Sequence, residues 1–196
     1  MVVYYCRFVP HAAPRSGPLP TRFRAHPDLL SAASQLGHLV DFIVVTSNFV
    51  HLFESEIEQA AGRELLSMVD LTLAEVARRA WRNVGVLGFG DPMVYTDPLL
   101  AMHVRSETID GDLRSRLDTA IDHVMEGRAD DDDADAAREA LAALRTRKLD
   151  GIIIGCTEIP LLLGNTARAP DLLDPLQLLA EAAVEHAIRA DRPGRA

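Results

Sequence analysis

A run of apolar residues that ends in a thiol, a hydroxyl and a carboxylate constrains the fold of this chain more than any other segment. Residues 150–160 read Asp-Gly-Ile-Ile-Ile-Gly-Cys-Thr-Glu-Ile-Pro, so a strand-like run is followed at once by Cys156, Thr157 and Glu158. Continuous apolar runs of this length are typical of strands buried on both faces of a parallel sheet, and α/β proteins carry functional side chains at the carboxyl ends of such strands. The segment therefore predicts an α/β fold with a reactive site where this strand ends.

A second segment repeats the pattern. Residues 40–48 read Val-Asp-Phe-Ile-Val-Val-Thr-Ser-Asn, which is again an acid, an apolar run and then small polar side chains. Together with strands that alternate with helices along the chain, the repetition predicts two pseudosymmetric α/β halves with parallel sheets and right-handed crossovers. We expect the halves to span residues 1–82 and 83–196, with the last helix packed on the first half and the site in the cleft between them.

Apolar periodicity and breaker residues place the individual elements. Strands are predicted at residues 2–6, 42–46, 65–69, 83–88, 102–106, 152–154 and 172–173. Helices are predicted at residues 27–39, 51–61, 72–81, 112–125, 134–147 and 176–189. The four prolines between residues 10 and 20 predict a loop, and the acidic run at 130–135 is interpreted as a solvated loop before a helix.

Composition limits the class of partner. With 196 residues, 48% of them apolar, the chain is long enough to bury a core. The net charge of −9 and the scattered basic residues argue against nucleic acid. No apolar run approaches the roughly 20 residues of a membrane span, and the N-terminus does not resemble a signal peptide, so we expect a cytoplasmic protein without a membrane partner. The two cysteines and the spacing of the histidines predict neither a disulfide scaffold nor a metal site.

Cys156 is the strongest candidate for chemistry. A thiol beside a helix N-terminus can have a lowered pKa, which makes the thiolate available as a base or nucleophile, so we expect such a lowering here. The alternative is a buried, inert cysteine. Thr157 and Asn48 could each bind a substrate carboxylate or serve only as cap or turn formers. Glu158 could orient a neighbouring group and raise the basicity of the site, or act as a cap or salt-bridge residue.

Residues 155–163, together with 46–51 (Thr-Ser-Asn-Phe-Val-His) and 84–88 (Val-Gly-Val-Leu-Gly), resemble the cofactor-independent aspartate/glutamate racemase superfamily. The resemblance runs from about residue 40 to 185. It implies two facing α/β domains and two cysteines on opposite sides of the substrate Cα, one removing the proton and the other returning one. It also implies that the reaction needs no pyridoxal phosphate and no metal, and that the substrate is a small carboxylate or amino acid.

The resemblance assigns roles residue by residue. The second cysteine of the family falls on Cys156 and its neighbour on Thr157. The first motif, usually Pro-Cys-Asn-Thr-Ala-His, falls on residues 46–51, so Ser47 stands where a cysteine is usual. A serine hydroxyl is scarcely ionised at neutral pH, so Ser47 would donate or relay a proton rather than act as a carbon base. Thr46, Asn48 and Thr157 would hold the substrate carboxylate.

Further site residues follow from the same resemblance. A dicarboxylate substrate favours a guanidinium partner, and Arg15 resembles an early Pro-Asp-Arg position of the family. Arg7 is a rival, and Arg114 resembles a basic residue of the second half, although each could be an ordinary surface arginine. His51 could support Ser47, or it could be a capping or solvent-facing histidine.

Two departures from the family pattern leave the activity open. The usual first strand and Gly-Gly-Met-type loop are not found, so a βα unit is predicted to be missing, and we expect a homodimer partner to cover the sheet edge. The usual Asp-Thr-Thr motif reads Asp-Pro-Leu at residues 174–176. The leading interpretation is an amino-acid racemase or epimerase. The alternatives are a decarboxylase or cis-trans isomerase of a small diacid on the same fold, and a non-catalytic relative that binds a ligand or partner.

Overall fold

A computed structural model describes residues 1–3 and 24–190 of the chain. It divides the chain into two compact units, a first unit of residues 1–68 and 177–196 and a second unit of residues 69–176. The strand pairs in the described residues are parallel in both units, which confirms the predicted α/β fold. The loop predicted at residues 10–20 and most of the strand predicted at 2–6 lie outside the described residues. The division into halves at residues 82 and 83 stays a prediction.

In the described residues, the first unit contains a short parallel strand pair, two complete α-helices and most of the last helix of the chain. Its elements are α1 (Pro27–Gly37), β1 (Phe42–Val44), a 3-10 helix (Phe49–Phe53), α2 (Glu54–Ala61) and β2 (Glu64–Leu66). Phe53, Ile57 and Leu65 are the most buried members of its apolar core. Gly62 ends α2 in the left-handed conformation with a φ of 62°, as expected for a glycine at this position.

The second unit is built on a four-stranded parallel sheet, and α3 (Met68–Arg78) leads into it. In the sheet the strand order is β4-β3-β5-β6. Its elements in chain order are β3 (Asn83–Leu87), α4 (Met93–Ala101), β4 (Arg105–Glu107), α5 (Gly111–Met125), α6 (Asp131–Arg145), β5 (Gly151–Ile154), α7 (Ile159–Leu163), a 3-10 helix (Gly164–Arg168) and β6 (Leu172–Leu173). The last helix, α8 (Pro175–Ala190), begins in this unit and continues into the first. No helix of the described residues combines the length and the apolar character that a membrane crossing requires.

The two central strands, β3 and β5, bring two turns together. All four residues of β5 are buried, as the apolar run predicted, and α6 covers the sheet with Ala137, Leu141 and Leu144. Where the strands end, the Gly155 N–H donates to the carbonyl of Leu87 at 2.7 Å. The turn after β3 and the turn that begins with Cys156 therefore lie side by side.

Four elements differ from the sequence prediction. The strand predicted at 65–69 ends early because Met68 already begins α3. The strand predicted at 102–106 is displaced to β4, since His103 has a φ of 58°, which is incompatible with an extended strand. Helices α4 and α7 were not predicted at all.

The acidic run at 130–135 is a helix start rather than a solvated loop. Asp130 is the N-cap of α6, and its carboxylate accepts the backbone N–H groups of Asp132 and Asp133. Asp133 is buried, and its carboxylate accepts the Asp130 N–H at 3.0 Å and contacts Nδ1 of His123 at 2.9 Å. Burial alone would raise the pKa of Asp133, but these two partners outweigh it and hold the pKa below its usual range. The acids thus stabilise the start of α6 and join it to α5.

Candidate functional site

Cys156 lies in the turn between β5 and α7. The residue before it, Gly155, is buried, and a Cβ atom there would lie 3.3 Å from Cδ2 of Tyr95 and 3.4 Å from Cγ1 of Val86. The absence of a side chain lets the chain pass close to the Tyr95 ring as it leaves the sheet. Cys156, Thr157 and Glu158 follow directly and are all half-buried.

One carboxylate oxygen binds the other two side chains of this turn. The Cys156 Sγ–H donates to Oε2 of Glu158 at 3.0 Å, and the Thr157 hydroxyl donates to the same Oε2 at 3.0 Å. The Glu158 side chain therefore folds back over its own turn and forms no ion pair with another of the described residues. In such a thiol–carboxylate pair, a proton can move between Sγ of Cys156 and Oε2 of Glu158. The structure brings together the three residues that the sequence predicted in this half of the site.

The pKa of Cys156 is raised well above its usual range, so the predicted lowering is wrong. Burial is the largest cause, followed by the charge and the hydrogen bond of Glu158 and by the charge of Asp118. The helix on which the prediction relied, α7, has only five residues, and its N-cap is Glu158 itself. A carboxylate therefore stands where the prediction placed only helix N–H groups, and Cys156 is a protonated thiol in this state.

A second turn, residues 88–92 after β3, lies against the Cys156 turn. A Cβ atom on Gly88 would lie 3.4 Å from the Gly155 carbonyl oxygen. The Gly90 N–H donates to Oδ1 of Asp118, on α5, at 2.8 Å. Burial raises the pKa of Asp118, although the Gly90 hydrogen bond and the charge of Arg114 act in the opposite direction.

Sequence reasoning missed Asp118. The sequence does place Asp118 beside an apolar face, because Leu117 and Ile121 are four residues apart on one side of the predicted helix. In the structure both are fully buried, and Asp118 lies at the edge of this buried face. Arg114, one turn earlier, was considered as a substrate-binding cation. Its guanidinium donates to the Ile109 carbonyl at 2.9 and 2.5 Å and to the Thr108 hydroxyl at 2.9 Å, so it holds the segment before α5.

The polar residues after β1 lie together in the first unit. Thr46 is exposed, Ser47 is half-buried and Asn48 is buried just before the 3-10 helix. The Ser47 hydroxyl makes no hydrogen bond to another residue of the described chain. Arg15 and its rival Arg7 fall outside the described residues.

His51 supports this segment through the backbone. The Met68 N–H donates to Nε2 of His51 at 3.2 Å, so Nε2 is unprotonated and Nδ1–H is left to donate to the Ser47 carbonyl at 2.8 Å. The ring is buried, with 7% of the residue exposed. His51 therefore fixes the position of Ser47 but does not contact its hydroxyl, and the solvent-facing alternative is wrong.

The fold and the site together define a class of parallel α/β proteins that present a thiol and a carboxylate at the end of a buried strand. The chain belongs to the Asp/Glu/hydantoin racemase family, whose sequence model matches residues 2–183. The match covers most of the chain and confirms the resemblance seen in the motifs. Within residues 1–3 and 24–190, no group of three or more His, Cys, Asp or Glu side chains is arranged to hold a metal ion.

Solved structures share the fold. A Yersinia pestis protein provisionally assigned as an Asp/Glu racemase is 29% identical, with a TM-score of 0.70 over 82% of this chain and 72% of its own. The aspartate racemase of Picrophilus torridus is 20% identical, with a TM-score of 0.68 over 81% of this chain and 68% of its own. An aspartate racemase homologue from Pyrococcus horikoshii is 19% identical, with a TM-score of 0.64 over 81% and 72%. At these identities the last two show the fold alone.

Proposed function

We propose that the protein is a racemase or epimerase that moves the Cα proton of a small amino acid or related carboxylate without a cofactor. The observation that carries this proposal is the hydrogen bond from Cys156 Sγ to Glu158 at the end of β5, in a chain of the Asp/Glu/hydantoin racemase family. The family also takes its name from hydantoin racemases, so the C5 proton of a hydantoin is a further candidate. Such protons are weakly acidic because a carbonyl neighbours the carbon.

Glu158 explains how a thiol with a raised pKa can still act as a base. Its carboxylate takes the Sγ proton, and the resulting thiolate removes the Cα proton, which regenerates the thiol and leaves a carbanion on the substrate. For retention, Cys156 returns a proton that its thiol has exchanged with solvent, and the proton held by Glu158 goes back to Sγ. For inversion, a solvent proton reaches the carbanion on the other face, and Glu158 loses its proton to solvent.

We propose Ser47 as the relay that delivers a solvent proton for inversion. A serine suits this role better than the role of a base, because its hydroxyl donates a proton and recovers one from water without being ionised at rest. Thr46, Asn48 and Thr157 would bind the substrate carboxylate through hydroxyl and amide groups, and Arg15 would bind a second carboxylate. We also propose that the protein acts in cytoplasmic amino-acid metabolism as a homodimer, with functional halves at residues 1–82 and 83–196.

One observation favours a second candidate, a decarboxylase of a small diacid. The Cys156 Sγ–H donates to Glu158 in the structure, and a decarboxylase needs only a proton donor for the enediolate that remains after carbon dioxide leaves. That reaction needs no base and no second cysteine, in agreement with Ser47 in the first motif. The two candidates differ in whether the substrate loses a proton or carbon dioxide.

Proton NMR in deuterated water separates these candidates. L-Asp, D-Asp, L-Glu, a 5-substituted hydantoin, maleate and an arylmalonate are incubated with the protein, beside a protein-free blank. A racemase exchanges the Cα or C5 proton for deuterium, whereas a decarboxylase converts only the arylmalonate. Cys156→Ala should abolish the reaction, and Cys6→Ala, at the other cysteine of the chain, serves as the matched control.

The variant Ser47→Ala tests the second proton. Proton NMR should show that this variant still incorporates deuterium, because Cys156 remains. Chiral chromatography should show that the product keeps its configuration, because the variant has lost inversion. If neither amino acid nor the hydantoin exchanges its proton, the racemase proposal fails. If no compound of the set reacts and Cys156→Ala changes nothing, the chain is a non-catalytic relative.

A further inference from the structure

We propose that Asp118 is a positioning residue for Cys156, which holds the turn of residues 88–92 against the Cys156 turn and thereby places a negative charge near the turn that carries the thiol. Its link to catalysis rests on the proposed function. Its action on the thiol does not, because that action is a property of the folded chain without substrate.

Three contacts connect Asp118 to the backbone that carries the thiol. The Asp118 carboxylate accepts the Gly90 N–H at 2.8 Å. The turn that contains Gly90 packs on the backbone of Gly155, where even a methyl group on Gly88 would lie 3.4 Å from the carbonyl oxygen. The Gly155 N–H in turn donates to the carbonyl of Leu87 at 2.7 Å. Helix α5 thus fixes the β3–α4 turn, and this turn fixes the backbone that carries Cys156.

The hydrogen bond to Gly90 does not itself require a charge. An asparagine carbonyl at the same place would accept the N–H equally well, and a half-buried carboxylate is less favourable to desolvate. The charge acts on the thiol instead, since burial and Glu158 raise the pKa of Cys156 most and the charge of Asp118 adds to their effect as the smallest cause. The carboxylate therefore performs two separable tasks, a backbone contact and an electrostatic one.

The charged groups that face Cys156 and Asp118 determine how a substitution changes the pKa of the thiol. Cys156 faces Glu158 from its own turn and Asp118 from α5. Asp118 faces Arg114 and Asp122 on its own helix. Both charges that act on the thiol are negative, so the removal of either one favours the thiolate.

Two variants separate the two tasks. Asp118→Asn keeps an acceptor for the Gly90 N–H and removes the charge, whereas Asp118→Ala removes both. Asp112→Asn is the matched control, because Asp112 is an exposed acid on the same helix and lies outside the proposed site. Iodoacetamide alkylation of Cys156 is followed between about pH 6 and 10 by mass spectrometry of the Cys156 peptide, which keeps Cys6 out of the signal.

We expect Asp118→Asn to shift the alkylation profile to lower pH, while Asp112→Asn leaves the profile at the parent position. Proton exchange on the accepted substrate should fall by about 10- to 100-fold in Asp118→Ala, because the turn behind Cys156 is released, and much less in Asp118→Asn. An Asp118→Asn profile that coincides with the parent profile overturns the proposal. If Asp118→Ala does not fold, Asp118→Asn decides alone.

Failure of the proposed function gives a different result. Alkylation needs no turnover, so a shifted Asp118→Asn profile in a protein that exchanges no substrate proton supports the positioning role and overturns the racemase reaction. An unshifted Asp118→Asn profile in a protein that does exchange the substrate proton supports the racemase reaction and overturns the positioning role of Asp118.

Discussion

Gly151→Ala should destabilise the second unit strongly, because Trp81 covers the first residue of β5. A Cβ atom on Gly151 would collide with three atoms of the Trp81 ring, of which Cζ3 would lie at 2.6 Å and the other two closer still. Gly151 does not have a positive φ, so alanine suits the backbone and the collision is the whole effect. The Trp81 backbone N–H donates to the Val76 carbonyl and the Arg79 guanidinium lies 4.9 Å from the ring centroid, so the ring can retreat only by turning about its side-chain bonds and disturbing its contact with Arg79.

The size of the effect follows from the overlap. Carbon atoms pack at about 3.5–4.0 Å, so the nearest ring atoms must move by more than about 1 Å to admit the methyl group. Forced insertion of this kind typically costs about 1–3 kcal/mol. We place Gly151→Ala at about 2–3 kcal/mol, because three ring atoms are affected and the strand is buried in the sheet. Gly155→Ala, at the other end of β5, should cost less than about 1 kcal/mol, since its nearest contacts lie at 3.3 and 3.4 Å.

Urea unfolding followed by fluorescence measures this directly, because Trp81 is the single tryptophan of the chain. With a slope of about 2 kcal/mol/M, the unfolding midpoint should fall by about 1 M in Gly151→Ala. In the Trp81→Leu background, followed by circular dichroism, the same substitution should cost less than about 1 kcal/mol because the ring is gone. A midpoint within about 0.2 M of the parent, or an equal cost in both backgrounds, would refute the reasoning.

Three further predictions concern titratable groups. Glu158→Gln should move the alkylation profile of Cys156 to lower pH, because a negative charge beside the thiol is lost. The same substitution should slow substrate proton exchange, because the proton acceptor is lost. Exchange at the parent rate would exclude Glu158 as the acceptor. Asp133→Asn should cost about 1–2 kcal/mol at pH 7. Because the folded-state pKa is lowered, this contribution is complete above the ordinary value of about 3.9 and is lost as pH falls through the folded value, so the parent and variant unfolding curves should converge in acid. His51→Leu removes the hydrogen bonds of the ring to the Ser47 carbonyl and to the Met68 N–H and should cost about 2–4 kcal/mol in urea unfolding, whereas a cost near zero would show that the ring does not stabilise the segment.

The sheet of the second unit was predictable because its signal is local. The run at 151–154 is too apolar for an exposed element and too short for a helix, and the glycine that follows lets the chain turn at the sheet edge. The pair Leu172–Leu173 and the apolar face of α6 were likewise visible in the sequence and agree with the structure. In each case the local pattern of apolar residues was compatible with only one type of secondary structure.

Helix α4 was missed because its sequence shows no helical period. Val94, Tyr95 and Leu99 are buried, but Pro98 interrupts the segment, and apolar residues such as the exposed Leu100 surround the helix on all sides. The secondary structure of such a segment depends on tertiary packing, which cannot be read from the pattern of apolar residues. The acidic start of α6 was missed for the opposite reason, since a run of acids resembles a solvated loop unless one recognises the capping box.

The pKa of Cys156 could not be derived from the sequence, although every group responsible for it is printed there. Glu158 is two residues away, and only the fold shows that its carboxylate turns back to the thiol rather than out to solvent. Asp118 is 38 positions earlier in the chain and acts through the packing of α5. Electrostatic effects depend on distance in space and on burial, so a motif can name the reactive residue without giving its protonation state.

A raised thiol pKa and a base role for Cys156 are compatible if the proton moves within the pair. Transfer from Sγ to Glu158 turns a thiol and a carboxylate into a thiolate and a carboxylic acid, so the half-buried turn carries one negative charge before and after. The burial that disfavours an added charge therefore weighs less on this transfer than on loss of the proton to solvent. What opposes the transfer is the difference in acidity between the two groups, about four pKa units for a free thiol and a free carboxylic acid, and a substrate ammonium group bound near the thiol would offset part of it. The thiolate would then form mainly when an amino-acid substrate is bound, which protects the nucleophile from side reactions in the free protein.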